Sequence, residues 1–122
     1  MTTHAIPATH VRLKRAYESA APEDGVRVLI DRLWQRGLRK ADAAVARWMK
    51  DIAPSTELRR WFGHDPERWA EFRRRYVREL QQHAAAIDEL RELAQHHTVT
   101  LVFSARDEEH NDAVALRDVL LR

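Results

Sequence analysis

The chain has 122 residues, 44% of them apolar and 33% charged, which suits one soluble domain with one core and is too short for two ordinary domains. It contains no cysteine, which excludes disulfides, thiol catalysis and cysteine-based zinc or iron–sulfur sites. With 19 acids against 21 cations the net charge is only +2, a weak footprint for a nucleic-acid-binding protein. All but three of the cations are arginine, whose planar fork suits carboxylate and phosphate; genomic base composition explains the bias at least as well. Four tryptophans and three phenylalanines supply enough apolar surface to argue against disorder. No apolar run approaches the roughly 18–20 residues of a membrane span. The opening MTTHAIPATH lacks the basic and apolar regions of a signal peptide, so a cytoplasmic protein is expected.

From the N-terminus, residues 1–10 are expected to be flexible. HVRLKRAY (10–17) alternates apolar and basic residues as a half-exposed strand does. ESAAPEDG (18–25) is a turn-rich loop, and VRVLIDRL (26–33) has the β-branched run of a buried strand. A loop of about eight residues is too short for a parallel crossover, so these two strands are antiparallel if they pair with each other. Arg36–Gly37 reads as a tight turn and KADAAVARWMKDI (40–52) as a helix stopped by Pro54. STELRRWFG (55–63) is a short helix with Ser55 or Thr56 as N-cap and Gly63 as stop. HDPERW restarts a helix, with Asp65 as cap and Pro66 at its first position. Trp69, Phe72, Tyr76, Leu80, Ala84, Ile87, Leu90 and Ala94 then share one face, and a break near 82–85 is expected because 30-residue helices are rare in small domains. TVTLVFSA (98–105) is a second buried strand, and residues 106–122 read as a final amphipathic helix. The order predicts a single α/β domain over 1–122, with a small parallel or mixed sheet flanked by helices in Rossmann-like layers. The long helical connection makes the two buried strands parallel neighbours.

In such sheets ligands gather beyond the carboxyl ends of the strands, where DRLWQRGLRK and SARDEEHND would emerge together. Arg106 and the N-terminus of the last helix offer an anion site. Histidine is the residue type suited to general acid–base work near neutral pH, which makes His110 a candidate; alternatively Asp107 caps the helix and His110 is surface. Asp31 at a strand end has a catalytic or metal-binding placement, or pairs with a neighbouring arginine. Arg32 stands beside it, Arg36, Arg39 and Lys40 are displayed around the turn at Gly37, and Trp34 suits either a stacking role or the core. His64 beside Asp65, with Asp31, Asp107 and His110, offers oxygen and nitrogen donors, but no recognised metal spacing is present. In RWAEFRRRYVREL (68–80), Glu71 precedes Arg74 and Arg75 at ion-pair spacing, so this Arg-rich helix reads as a solvated face or, alternatively, as a nucleic-acid-binding one.

RVLIDRLWQRGLRK, WMKDIAPSTELRRWFGHDPERWAEFRRRYVREL and LVFSARDEEHNDAVALRDVL together resemble the YeaO-like branch of domain-of-unknown-function family 488 over about residues 11–121. The motif residues map onto Asp31, Arg32, Trp34, Arg36, Gly37, Pro54, Ser55, His64, Asp65, Arg106, Asp107, His110 and Asn111. Gln35 stands where the family usually has proline, which predicts a less rigid turn. More distant members carry cysteine and histidine in the second turn; in this chain the cysteine is absent, so thiol chemistry does not transfer. The resemblance implies a fold and a shared polar surface, and no established activity.

The sequence therefore leads to a small anionic ligand, phosphate- or carboxylate-bearing, with Asp31, Asp107 and His110 for any acid–base or hydrolytic work. Arg32, Trp34, Arg36, Gly37, Ser55, His64, Arg106 and Asn111 are expected to contact it. Cofactor, metal and oligomeric state are not specified. The rival readings are a non-catalytic nucleic-acid- or protein-binding module using the Arg-rich helix 67–80, and a buried salt-bridge network that locks the fold.

Overall fold

The computed structural model describes residues 6–34 and 36–122; the expectation about Gln35, and that about residues 1–5, lies outside the described residues. Four parallel strands form one sheet: β1 (Val11–Arg15), β2 (Val26–Leu29), β3 (Arg47–Trp48) and β4 (Val99–Phe103), in the order β1-β4-β2-β3. β4 sits between two partners, with Leu101 opposite Leu13 on one side and Val28 on the other. All five of its residues are buried, the reason four of them are apolar without alternation; the fifth, Thr100, donates its hydroxyl to Asp24 O at 2.6 Å. The two N-terminal strands never pair, because β4 is inserted between them and runs parallel to both.

Alternation along the strands splits the interior. Val11, Val28, Ile30, Val99, Leu101 and Phe103 face the main core. That core is completed by α2 (Thr56–Phe62), α3 (Trp69–Gln81), α4 (Ala84–His96) and α5 (Asp112–Leu121). The opposite face is covered thinly. Ala16, Leu29 and Val102 are buried there under Trp34, Leu38 and Val45, beside a buried ion pair in which Arg27 Nη1 donates to Asp24 at 2.7 Å. Gly25, at φ +64°, lets the chain enter β2 hard against Thr98; a Cβ there would lie 2.2 Å from the Thr98 carbonyl oxygen.

The expected break between helices is present: α3 ends at Gln81 and α4 begins at Ala84. The aromatic and aliphatic residues of that shared face are buried or partly buried, whereas Ala84 is exposed. The helix expected over 40–52 is corrected to a single turn, α1 (Lys40–Ala43), followed by β3 and a 3-10 turn at Lys50–Ile52. Ala44 adopts left-handed φ +47°. The Ala46 amide donates to Arg27 O and the Met49 amide to Leu29 O, so hydrogen bonds to the free edge of β2 outweigh local helix propensity. The final helix is likewise shorter than residues 106–122 suggested. Asn111 is extended and accepts from the Val114 amide, which fixes it as the N-cap.

Candidate functional site

The carboxyl ends of β2 and β4 open into one cavity of about 610 Å³, bounded below by Phe62 and Phe72 and at one side by Ala53–Pro54. The side wall is clamped by long-range bonds. Tyr76 donates its hydroxyl to Ile52 O at 2.6 Å, and Arg32 Nη2 donates to Pro54 O at 3.2 Å. Ser55 caps α2 through Leu58 N, while its own amide and hydroxyl donate to Glu79 of α3 at 2.8 and 2.6 Å. A polar loop is thereby held rigidly beside the strand ends.

The segment after β4 folds around Asp107. Its Oδ1 accepts from the Glu109 and His110 amides at 2.9 and 3.0 Å, and its Oδ2 lies 3.0 Å from His110 Nδ1. The Glu109 amide first, and then the His110 ring, lower the Asp107 pKa. His110 is braced by the edge of Trp69, with ring centroids 5.4 Å apart, and Asn111 Nδ2 ties back to Asp107 O at 2.8 Å. Asp107 therefore caps this turn rather than the helix. Two amides at the start of α5 are already occupied, Ala113 by the Asp112 carboxylate and Val114 by Asn111, so the charge that faces a ligand comes from side chains.

Three guanidinium groups line the cavity: Arg32, Arg59 and Arg106. Asp31, Asp107 and Asp112 line it too, with His64 and His110. Asp112 is the unusual member. Burial, with the Asp31 carboxylate adding to it, raises its pKa from 3.8 to about 7, and Arg59 opposes that shift. The same neighbourhood acts on the buried Tyr76 hydroxyl, which burial and the charges of Asp112, Glu79 and Asp31 push far up. Among the described residues no three His, Asp or Glu side chains form a metal-binding group.

Of the residues singled out in the sequence, Asp31, Arg32, His64, Arg106, Asp107, His110 and Asn111 converge on this cavity. Ser55 supports its wall from behind, as the α2 cap. Trp34, Arg36 and Gly37 lie elsewhere: Trp34 covers the thin face of the sheet and donates its indole N–H to Leu38 O at 2.7 Å, and Arg36 and Gly37 are exposed in the following turn. Gly37 has φ +80°, as a tight turn requires. Sequence reasoning missed Asp112, Arg59 and the two phenylalanines. An acid in the first turn of a helix reads as an ordinary dipole partner, and nothing local signals that Asp31 faces it. The Arg-rich helix is largely self-neutralised: Arg74 and Arg75 both reach Glu71, Arg73 reaches Asp118, and Arg68 and Arg75 both sit on the Trp61 ring.

The family model described as the inactive DUF488-N3 subclade matches residues 10–122. The uncharacterized protein Rv3073c of Mycobacterium tuberculosis is 47% identical over 112 residues, spanning 92% of this chain and 94% of that protein. The uncharacterized protein YeaO of Escherichia coli is 41% identical over 111 residues, 91% of this chain and 96% of that one. No solved structure matches significantly. With a family model covering nearly the whole chain and relatives matched end to end, this protein belongs to the YeaO-like branch of family DUF488.

Proposed function

We propose that the cavity at the strand ends binds a small anionic ligand, phosphate- or carboxylate-bearing, and that binding rather than turnover is its role. The observation that carries this reading is the placement of Arg32, Arg59 and Arg106 on one cavity. Guanidinium groups are matched to oxyanions by charge and by their paired donors. Arg32 adds to it, because its Nε is buried with no hydrogen-bond partner among the described residues, a donor that an oxyanion would satisfy. The absence of cysteine and the description of the matching family model as inactive favour a binding role. The Asp107–His110 pair, at 3.0 Å, keeps acid–base hydrolysis as the second reading, because a carboxylate on Nδ1 orients the ring for proton transfer at its other nitrogen.

A thermal-melting screen against nucleotides, sugar phosphates and small carboxylates tests the proposal. A ligand at 100 times its Kd adds about 2.7 kcal/mol, several degrees for a domain of this size. A shift that Arg106→Ala removes supports the pocket; Arg106 is exposed, so its loss leaves the fold intact. No shift with any anion, or a shift that survives Arg106→Ala combined with Arg59→Ala, refutes it. Consumption of a phosphate ester that ceases in His110→Gln would favour hydrolysis.

A further inference from the structure

One part of the family motif is not used by the cavity. Trp34, Arg36 and Gly37 lie on the far side of the loop that carries Asp31 and Arg32, and the surface there differs from the rest of the molecule. Residues 33–50 hold five cations and one acid, a net of +4, so the remainder carries −2 of the chain's +2. The large exposed hydrophobics gather at the same place: Tyr17 is 54% exposed, Leu33 62% and Trp48 41%.

These residues form one continuous surface. The Tyr17 hydroxyl reaches the Arg36 carbonyl, Trp34 bonds Leu38 O, and the Trp34 and Trp48 rings meet edge to face at 5.6 Å. Lys50 Nζ lies 5.3 Å from the Trp48 ring centroid. Trp48 is held in place by donating its indole N–H to Asp31 O at 2.7 Å, so its partly open ring is presented rigidly. Arg36 and Lys40 are exposed and make no ion pair among the described residues. Arg39 pairs with Asp42 and Arg47 with Glu89, whereas on α3 Arg73, Arg74 and Arg75 are answered by Asp118, Glu71 and Trp61.

We infer that this surface binds single-stranded nucleic acid, with bases stacked on Tyr17 and Trp48 and the phosphate backbone lying along Arg36, Arg39, Lys40 and Lys50. Three features favour a polynucleotide over an acidic peptide or an anionic membrane. The aromatic groups are rings held among cations, the combination that stacks bases of any identity while neutralising their backbone. Neither the strand-end cavity nor the groove beside β1 is lined by Tyr17, Arg36, Lys40 or Trp48, whereas peptide side chains need pockets for specificity. The apolar part is confined to three exposed side chains among charges, too little for insertion into a bilayer. The inference is independent of the anion-binding cavity, because none of Tyr17, Arg36, Lys40, Trp48 and Lys50 lines it.

The test is fluorescence anisotropy of labelled dT12 and rU12 with the full chain, in 50 and 200 mM salt. About four neutralised phosphates predict roughly a 50-fold loss of affinity over that range. The double charge reversal Arg36→Glu/Lys40→Glu should weaken binding by about tenfold or more. Tyr17→Ser should weaken it by about fivefold or more. Arg73→Glu/Arg74→Glu and Arg106→Ala should leave it unchanged, and thermal melting checks that every variant is folded. Four results overturn the inference: no binding at 50 mM salt; binding insensitive to Arg36→Glu/Lys40→Glu; equal loss in either control variant, which would move the site to α3 or to the cavity; or polyglutamate or anionic vesicles binding as tightly as the oligonucleotides.

Discussion

Replacing Asp112 by asparagine should make the protein more stable at pH 8 and leave its stability nearly unchanged at pH 4. In the folded state burial, with Asp31 adding to it, raises the Asp112 pKa from 3.8 to about 7. Between those values the native state holds a proton that the unfolded state has lost, so stability falls as pH rises from about 4 and levels off above about 7. The full interval corresponds to a ceiling of about 4 kcal/mol. Asp112 borders the cavity and keeps some accessible surface, so solvent screening reduces the expected penalty to about 2 kcal/mol. Asparagine removes the charge and retains the oxygen that accepts from the Ala113 amide. The gain at pH 8 should therefore be about 2 kcal/mol, or about 6–10 °C in Tm. Urea denaturation of both proteins at pH 4, 6 and 8 measures it, with unchanged m-values as the check on two-state behaviour. A variant less stable than the parent at pH 8 would mean that Arg59 holds Asp112 ionised and that burial does not dominate its titration. An equal gain at all three pH values would likewise refute a titration-based cause.

The remaining predictions concern the frame that holds the site. Gly25→Ala should cost about 3 kcal/mol or more, because it adds a Cβ 2.2 Å from the Thr98 carbonyl oxygen at φ +64°. Gly63→Ala, at φ +54° with its nearest contact 3.6 Å away, should cost only about 1 kcal/mol; equal costs in urea melts would show that the Gly25 contact relaxes freely. Asp24→Ala should cost about 3–5 kcal/mol by stranding buried Arg27, and a loss below 1 kcal/mol would contradict that. Burial works to raise the Asp24 pKa, but bonds from the Ala21 amide, Lys14 and Arg27 prevail and lower it. Its share of stability is present above about pH 4 and is lost as pH falls through the depressed folded value, a slope that Asp24→Ala should abolish.

Local chemistry decided what the sequence by itself determined. Ser55 and Gly63 delimit α2 because a cap hydroxyl and a left-handed glycine act within a few residues. The spacing of Phe72, Tyr76 and Leu80 reports a buried helical face for the same reason, as does the dense β-branched and apolar run of β4 for a strand with partners on both sides. Asp31 and Arg106–Asn111 were found because strand ends in α/β sheets are where ligands bind, a rule of topology that needs only element order. Residues 40–52 misled because their helix propensity is real. The free edge of β2 supplied hydrogen bonds that propensity could not outweigh, and no local signal announces a neighbour in space. Asp112 and Arg59 stayed hidden on the same ground: they lie 81 and 28 positions along from Asp31, and only packing sets them on one cavity. The division of DRLWQRG between two surfaces was also a tertiary decision. The chain turns after Arg32, so Asp31 and Arg32 line the cavity while Trp34 covers the opposite face of the sheet and Arg36 faces solvent.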